Sequence, residues 1–332
     1  MKILNSLTAA LLVCSAPIVA SAADGGFSWE DTPRKYTDLS WDGRKVARYV
    51  YEGIDLSSPE RREETFKPFH HVYDAAGENF ITKGPGGKFT HHRGIFFGFS
   101  KCSYQGADGK TLTVDTWHCK PGKGDEPGAH QSHEEVLAQT ADSEKAVQKV
   151  RIHWHGNDGA VFVIEERQLT FRMGIDGALI VDFTSTLTPT NGKVTVDGDP
   201  QHAGFQFRAS NEVAESTAKK TYYIRPVSGK ATPGTTINWS AKDDTEATRD
   251  LPWKALSFVV NGDERYTTVY LDSPKNPKPA RFSERDYGRF GSYFVKEFSQ
   301  DSPLTVNYQL VIGKGERTPQ ECAVLSEAFV GK

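Results

Sequence analysis

Short runs of alternating apolar and polar residues, separated by tight-turn dipeptides, recur along almost the whole chain. Clear runs cover residues 45–51, 178–187 and 304–312. Alternation with a period of two indicates strands with one buried face, and Asp-Gly or Asn-Gly between such runs is typical of a β-hairpin. These dipeptides stand at Asp42-Gly43, Asp158-Gly159, Asp176-Gly177, Asn191-Gly192 and Asn261-Gly262. The pattern predicts an all-β fold, a large antiparallel two-sheet β-sandwich with few short helices.

Two segments have the features of short helices. Residues 132–141 are one, and residues 316–328 are the other, with Thr318-Pro319 as a start signal. The chain shows no internal repeat and no clear linker. We therefore treat residues 36–332 as one domain, preceded by a polar leader over residues 23–35.

The N-terminus has the pattern of a secretory signal peptide over residues 1–22. A short basic start, Met1-Lys2, is followed by a mostly apolar segment, and Ala20-Ser21-Ala22 fits the small-x-small cleavage pattern. Cleavage near Ala22 would leave a periplasmic or secreted protein. No other segment approaches the roughly 20 apolar residues of a membrane helix, so no membrane span is expected.

Charge and cysteine content limit the partners and the covalent chemistry. The formal net charge is -3 at pH 7, and no block of Lys and Arg stands out, which argues against a nucleic-acid partner. Cys102 and Cys119 flank a turn-rich stretch. They either close a disulfide, worth about 3 kcal/mol for a loop of that size, or remain buried free thiols.

Two adjacent histidines and an arginine open an aromatic-rich segment, residues 89–99. As one continuous strand it places His91 and Arg93 on the same face as four apolar side chains, with His92 on the opposite face. Polar groups beside buried aromatics need partners, and a ligand is one such partner. The segment thus predicts a polar site at the end of a β-sheet core.

Two further segments repeat this mixture of polar and aromatic residues. Residues 198–208, read as a strand, place His202, Gln206 and Arg208 on one face, which is either solvated or lines a cleft. Residues 271–290 combine a proline-stiffened loop with a strand whose one face is polar. The polar residues of this third segment are Asp272, Asn276, Ser283, Arg285, Tyr287 and Arg289.

Nine of the ten histidines lie between His70 and His155. Because adjacent histidines on a strand point apart, a metal site would take one histidine from each of several positions. If such a site is present, we expect His71, His92 and His202 to form it. His153 and His155 belong to an alternating strand, and a polar, solvated strand face explains that pair.

The three polar segments together resemble the PmoA-like domain family of unknown function. The matching motifs are His91-His-Arg-Gly-Ile-Phe-Phe-Gly, Gly198-Asp through Gly204-Phe-Gln-Phe-Arg208, and Asp272-Ser-Pro-x-Asn-Pro running to Arg285-x-Tyr-Gly-x-Phe290. The resemblance covers about residues 36–313. It departs from many members at Ser283-Glu284, where a Trp-His pair is often found, so no role is carried over to that position.

This resemblance implies a β-sandwich of the galactose-mutarotase type. It also implies a role in sugar processing, since the family's members are common in glycan-degrading bacteria. The family label points to a methane oxygenase, but such a membrane-embedded subunit needs transmembrane helices, and only the N-terminal signal is apolar enough.

The resulting hypothesis is an exported carbohydrate-active enzyme, a lyase or a hydrolase, acting on a glycan or on a modified glycoside such as a 3-keto-glycoside. Planar polar groups bind vicinal hydroxyls, and aromatic faces cover the apolar side of a sugar ring. Acid–base catalysis is assigned to His91, His92, His202 and Tyr287. Substrate binding is assigned to Arg93, Gln206, Arg208, Asp272, Asn276, Arg285, His71, Trp117 and His118.

Two other classes of protein stay open. One is a non-catalytic carbohydrate-binding protein, and the other is an oxygenase or hydrolase that depends on a divalent metal held by histidines. Otherwise no cofactor is expected. A hydrolase with paired carboxylates would use Glu165, Glu166, Asp272 or Glu284, but the sequence shows no pairing. Arg93 and Arg208 either hold an oxyanion of the substrate or pair with buried carboxylates such as Glu166.

Overall fold

The computed structural model describes residues 25–123 and 126–331. The predicted signal peptide and its cleavage site near Ala22 lie outside the described residues. Neither of the two α-helices described below is long and apolar enough to cross a membrane.

Strands make up most of the described chain. In chain order they are β1 (Phe27–Thr32), β2 (Tyr36–Trp41), β3 (Arg44–Val50), β4 (Phe69–Val72), β5 (Ile95–Phe99), β6 (Lys101–Gln105), β7 (Thr111–Val114), β8 (His130–Ala141), β9 (Ala146–His155), β10 (Val161–Met173), β11 (Leu179–Pro189), β12 (Lys193–Asp197), β13 (Ala203–Arg208), β14 (Tyr222–Arg225), β15 (Gly229–Lys230), β16 (Trp253–Val260), β17 (Glu264–Asp272), β18 (Arg281–Arg285), β19 (Arg289–Tyr293), β20 (Lys296–Ser299) and β21 (Leu304–Lys314). The helices are α1 (Pro59–Thr65) and α2 (Pro319–Val330), with a π-helical turn at Val213–Thr217 and a 3₁₀ turn at Ala218–Lys220.

The strands form three sheets. Sheet A has the order β1-β2-β3-β4-β5-β13-β19-β18, and sheet B has the order β15-β14-β16-β17-β21-β11-β10-β9-β8. Sheet C is smaller, with the order β20-β12-β6-β7. Every strand pair within the described ranges is antiparallel. The predicted all-β antiparallel architecture is confirmed, and sheet C is an addition to the expected two sheets.

Aromatic side chains fill the space between sheets A and B. Phe97 and Phe205 of sheet A meet Phe183 of sheet B, with ring centroids 5.8 Å and 4.3 Å apart. Phe205 also stacks on Tyr308 at 4.8 Å. These rings are buried and supply much of the apolar area that holds the sheets together. Because Phe205 points inward, its strand neighbour Gln206 points to the outer face of sheet A.

The structure corrects four local expectations from the sequence. Residues 132–141 lie in β8 rather than in a helix, because the segment pairs with β9 along its whole length. Such tertiary pairing overrides the helix propensity of its Glu, Ala and Leu residues. Residues 27–32 of the expected polar leader form β1 and pair with β2.

The other two corrections concern the segment 89–99 and the cysteines. Only Ile95–Phe99 is a strand, because Phe89 has a left-handed φ of 59° and residues 89–92 form a turn. His91 and Arg93 therefore do not extend the apolar face of β5. Cys102 and Cys119 are buried free thiols, so the disulfide alternative is wrong.

The C-terminal helix begins where the sequence predicts. Thr318 caps α2, since its side chain accepts a hydrogen bond from the Glu321 amide at 3.2 Å. The Glu321 carboxylate in turn accepts from the Thr318 amide at 2.7 Å, which completes a capping box.

Candidate functional site

Three histidines from separate loops come together at the outer face of sheet A. His91 precedes β5, His118 follows β7, and His202 precedes β13. The ring centroid of His118 lies 4.7 Å from those of His91 and His202, which are 5.7 Å from each other. One ring nitrogen of each lies within 4.8 Å of the others, and all three side chains are partly exposed. We call these three residues the histidine cluster.

A carboxylate orients two of the three rings. Nδ1 of His118 lies 2.7 Å from the Asp115 carboxylate, and Nδ1 of His202 lies 3.0 Å from the Asp199 carboxylate. Each aspartate stands three residues before its histidine, in a tight turn. When Nδ1 donates to a carboxylate, Nε2 presents its lone pair on the opposite side of the ring. Both rings are thus set to accept a proton or bind a cation through Nε2.

The two aspartates supply negative charge behind the histidine cluster. Burial opposes ionisation of Asp115, but hydrogen bonds from His118 and from the backbone lower its pKa overall. The pKa of Asp199 is lowered in the same way, against burial, by His202 and a backbone amide. Both carboxylates are ionised at neutral pH.

The third ring, His91, lies in the turn before β5 and has a buried, unsatisfied nitrogen. Its Nε2 has no hydrogen-bond partner among the described residues. Burial, and then the nearby charge of Lys67, lowers the pKa of His91 to about 2. A neutral imidazole therefore faces His118 and His202 at physiological pH.

Arg93 stabilises the turn at residues 89–92 through hydrogen bonds to backbone carbonyls. Its Nη1 donates to the carbonyls of Thr90 and His92, both at 2.7 Å, and its Nη2 donates to the carbonyl of Glu63. The sequence predicted that Arg93 binds substrate or pairs with a carboxylate such as Glu166. The guanidinium instead satisfies backbone carbonyls, which explains how the turn at residues 89–92 is kept in place.

Two buried arginines lie side by side on the same outer face. Arg208 on β13 and Arg289 on β19 are direct partners in the antiparallel ladder. Arg208 Nη2 donates to the carbonyl of Gln201 at 3.0 Å, and Arg289 Nη1 donates to the carbonyl of Pro200 at 3.0 Å. Gln201 and Pro200 directly precede His202, so this arginine pair borders the histidine cluster.

The arginine pair has more hydrogen-bond donors than the protein uses. Nε and Nη1 of Arg208 and Nε and Nη2 of Arg289 are buried with no partner in the described part of the chain. No carboxylate of residues 25–123 or 126–331 forms an ion pair with either guanidinium. Burial, followed by the charge of Arg289, lowers the pKa of Arg208. Unsatisfied buried cations are costly, so the arginine pair suits a ligand that brings anionic or strongly polar oxygens.

Aromatic side chains lie beside the arginine pair, and we call Phe89, Tyr287 and Trp117 the aromatic wall. Phe89 lies 4.5 Å from Tyr287 and 5.1 Å from His92, measured between ring centroids. The Trp117 ring lies 5.4 Å from the Arg208 guanidinium, and its Nε1 is another buried donor without a partner in the described residues. Phe89 adopts its left-handed φ here, and strained backbone of this kind clusters at functional sites.

His92 lies between this aromatic wall and the histidine cluster. Its ring packs edge-on against His91 at 4.5 Å and parallel to Tyr287 at 5.9 Å. Burial, and then the charge of Arg208, lowers the pKa of His92 well below its ordinary value. A neutral, weakly hydrated imidazole therefore lies beside the arginine pair.

The structure adds residues that the sequence analysis did not select. Asp115 and Asp199 share the spacing Asp-x-x-His with His118 and His202, and that repeated spacing is the signal that would have found them. Lys67 is buried beneath the site, where its Nζ donates to the carbonyl of Trp117. Burial lowers the pKa of Lys67 to about 7.

The predicted metal set His71, His92 and His202 is not brought together. His71 stacks on Phe80 with centroids 3.9 Å apart, and its Nδ1 lies 3.1 Å from Thr82 Oγ1. The group that forms instead is the histidine cluster, in which His91 and His118 take the places expected for His71 and His92.

Asp272 and Asn276 form a closed network away from the arginine pair. Asn276 Nδ2 donates to Asp272 at 2.6 Å and to the carbonyl of Asn307 at 2.8 Å, and the Asn307 amide donates to Asn276 at 2.7 Å. Lys278 lies 3.1 Å from the Asp272 carboxylate. These bonds anchor the loop after β17 to β21.

Gln206 and Arg285 lie at the margins of the arginine pair. Gln206 Nε2 donates to the carbonyl of Ala203 at 2.9 Å, and its Oε1 is buried without a partner in the part that the structure describes. Arg285 is half-buried and faces Arg289 across the β18–β19 hairpin. The two arginines are therefore cross-strand partners, rather than successive residues on one strand as predicted.

The fold and the site define an all-β antiparallel protein with a histidine cluster and a buried arginine pair on one sheet face. The chain belongs to the Family of unknown function (DUF6807), whose sequence model matches residues 36–327. The expected PmoA-like label is not confirmed by this match. A search of curated proteins gave no match.

A comparison with solved structures found the GalM/aldose epimerase homologue from C. elegans. It shares 10% sequence identity with this chain at a TM-score of 0.33, and the alignment covers 88% of this chain and 99% of that one. A TM-score of 0.33 is too low to assign a fold or an activity to this chain.

Proposed function

We propose that this protein is an exported carbohydrate-active lyase that cleaves a glycan or modified glycoside by β-elimination. The observation that carries the proposal is the arginine pair, with its four buried N–H-bearing nitrogens unpartnered beside an aromatic wall. The substrate class that fits is a sugar with a carboxylate or keto group next to the carbon that loses its proton. Export is inferred from the signal pattern in residues 1–22.

The reaction has a place for each group. A base removes the proton on the carbon α to the carbonyl, and the C–H electrons move onto the carbonyl oxygen as an enolate. The enolate then re-forms its carbonyl, a C=C bond forms, and the β C–O bond breaks, with a proton delivered to the leaving oxygen. Guanidinium donors aimed at the enolate stabilise the developing charge, an effect of about 10²–10³ per donor group in rate.

His92 and Tyr287 are the residues we assign to proton transfer. His92 is adjacent to the arginine pair, and no hydrogen bond to another described residue engages its ring nitrogens, so we assign it as the base. Burial and the charge of Arg208 lower its pKa, so an anionic substrate oxygen on the arginine pair must offset that charge for His92 to take the proton. We assign the Tyr287 hydroxyl as the acid for the leaving oxygen, because a phenol can donate a proton and its ring lies 5.9 Å from that of His92. His202 and His91 are not assigned to proton transfer, because His202 is hydrogen-bonded to Asp199 and both belong to the histidine cluster.

The carboxylates that a glycoside hydrolase would use are held in ion pairs, which favours a lyase over a hydrolase. Glu165 pairs with Arg167 at 2.7 Å, and Asp272 pairs with Lys278 at 3.1 Å. Glu284 is fully buried and pairs with a lysine. Carboxylates held in such ion pairs do not form the two facing groups that glycoside hydrolysis needs.

The test is a substrate screen of the mature protein on polyuronates, 3-keto-glycosides and neutral glycans. Absorbance of the unsaturated product and release of reducing ends are followed in parallel. We expect new absorbance, lost by 10²–10⁴-fold in His92→Ala and retained in a control, His153→Ala, on the outer side of β9. Reducing ends without absorbance would establish a hydrolase, and binding without turnover would establish a carbohydrate-binding protein. Either result contradicts the proposal.

A further inference from the structure

We propose that His91, His118 and His202 together bind one divalent transition-metal ion of the zinc class. The proposal concerns metal binding alone and does not depend on the lyase reaction. It differs from the metal set that the sequence predicted, and it rests on how each ring is held.

The hydrogen bonds of two rings match a metal-ligand arrangement. Ligating histidines commonly donate their other ring N–H to a carboxylate, which fixes the tautomer and raises the basicity of the ligand nitrogen. His118 and His202 both have this bond, to Asp115 at 2.7 Å and to Asp199 at 3.0 Å. Each aspartate also accepts a backbone amide of its own turn, Asp115 from His118 at 2.8 Å and Asp199 from Gln201 at 2.8 Å. The same carboxylates therefore hold both the turn and the ring in place.

The third ring provides independent support. His91 Nε2 is buried, and no described residue gives it a hydrogen bond. One ring nitrogen of His91 lies within 4.8 Å of one ring nitrogen of each of the other two histidines. Tetrahedral zinc with Zn–N bonds of about 2.0–2.1 Å needs nitrogens about 3.3 Å apart, a difference that small side-chain rotations cover.

The donor set selects the kind of metal. Three imidazoles favour zinc and its neighbours over magnesium and calcium, which prefer oxygen ligands. Three protein ligands leave one position open, as in catalytic zinc sites. All three histidines are partly exposed, so a substrate oxygen can reach a bound ion from solvent.

Charges around the cluster are compatible with a cation. Asp115 and Asp199 contact the ligands directly and contribute two negative charges. Arg208, Arg289 and Lys67 lie on the side of sheet A. They oppose a free cation but favour an ion that also carries an anionic oxygen.

A second group of potential ligands on the same protein provides a matched control. Glu134, His153 and His155 also lie close together. Both ring nitrogens of His155 are already engaged, by Ser132 at 2.8 Å and by the carbonyl of Gly159 at 2.8 Å. Glu134 lies 3.4 Å from His153 Nδ1 and is itself a member of this group, so only one histidine of the group keeps a free ring nitrogen. We therefore expect it to bind metal much more weakly.

The experiment is direct metal titration of the mature protein after treatment with chelator and desalting. Zn²⁺ binding is measured by calorimetry with elemental analysis, and Co²⁺ is used as a probe because four-coordinate Co²⁺ absorbs strongly in the visible region. We expect one equivalent of each metal, no stable binding in the double variant His118→Ala/His202→Ala, and one equivalent in His153→Ala.

Two milder variants keep the test valid if the double variant does not fold. Asp115→Asn and Asp199→Asn retain the side-chain shape, and we expect each to weaken Zn²⁺ binding by 10–100-fold with near-unchanged circular dichroism. Absence of stoichiometric binding to the wild type would overturn the proposal, as would equal binding by all cluster variants. Metal binding without lyase turnover would reject the proposed function and leave the metal site standing.

Discussion

Replacing Arg208 by methionine should separate the stability of this protein from its function. The substitution removes one hydrogen bond to a carbonyl and a cation–π contact with Trp117, together worth about 2–5 kcal/mol. It also removes two buried unpartnered donors, each costing about 1–3 kcal/mol, and the repulsion from Arg289. The terms nearly cancel or favour the variant, so we expect the free energy of unfolding to stay level or rise by up to about 3 kcal/mol.

A second arginine in the core provides the control. Arg167 is as deeply buried as Arg208, but it makes two hydrogen bonds to Glu165, at 2.7 Å and 2.9 Å. Arg167→Met strands that carboxylate in the core without a cation. We expect a loss of about 3–5 kcal/mol, which is typical of breaking a buried pair.

Urea unfolding of ligand-free protein at pH 7, analysed by linear extrapolation, measures both changes. Turnover of the best substrate is measured alongside, and we expect Arg208→Met to lose about 10²–10³-fold in kcat/KM. A loss of stability in Arg208→Met as large as that in Arg167→Met would refute the reasoning. The arginine pair would then be a structural element, and its unpartnered donors would not indicate a ligand.

Three further predictions test other parts of the structure. Tyr287→Phe should lower kcat by about 10²-fold with little change in KM, because only the proton for the leaving group is lost; unchanged steady-state kinetics would remove Tyr287 from the mechanism. Zn²⁺ at 100 times its dissociation constant should raise the free energy of unfolding by about 2.7 kcal/mol, and a calorimetric melt that does not respond to Zn²⁺ or chelator would contradict this. Burial raises the pKa of Asp272 to about 6, so the native state retains a proton that the unfolded chain loses from about pH 4 upward. The contribution of Asp272 to stability therefore falls as pH rises through about 4 to 6, and urea titrations should show a flatter profile in Asp272→Asn than in the wild type.

Hydrophobic alternation was sufficient to predict the fold class, because long strands such as β9, β10 and β11 bury one face only. Residues 178–187 and 304–312 both alternate, and they lie next to each other in sheet B as β11 and β21. Their pairing could not be read from the pattern, since more than a hundred residues separate them. The segment 132–141 was misassigned for a related reason: its strand form depends on pairing with β9 and not on its own propensity.

The candidate site was partly predictable for the same physical reason. Arg208 lies on a true strand, so alternation correctly placed it on the face opposite Phe205 and Phe207. His91 lies in a turn, where the period of two does not apply, and its approach to His118 and His202 depends on three loops from distant parts of the chain. The contacts of Asp115 with His118 and of Asp199 with His202 were predictable from local spacing, because in an Asp-x-x-His turn the carboxylate can reach the ring three residues later.

The charges of the histidine cluster and of the arginine pair are related. In the described structure, Asp115 and Asp199 bond to histidines and leave the arginine pair without a carboxylate partner, although all of these groups lie at one face of sheet A. A carboxylate turned toward Arg208 or Arg289 would neutralise a buried charge and make the fold more stable, so stability alone does not explain this arrangement. A divalent ion bound to the histidine cluster would add two positive charges near the guanidiniums, so the arginine pair would bind an anionic oxygen more strongly when the ion is present. The binding of a carboxylate or enolate mimic should therefore tighten when Zn²⁺ is present and Zn²⁺ should bind more tightly with the mimic, by the same factor in calorimetry. Independent binding of the two would mean that the histidine cluster and the arginine pair do not form one site.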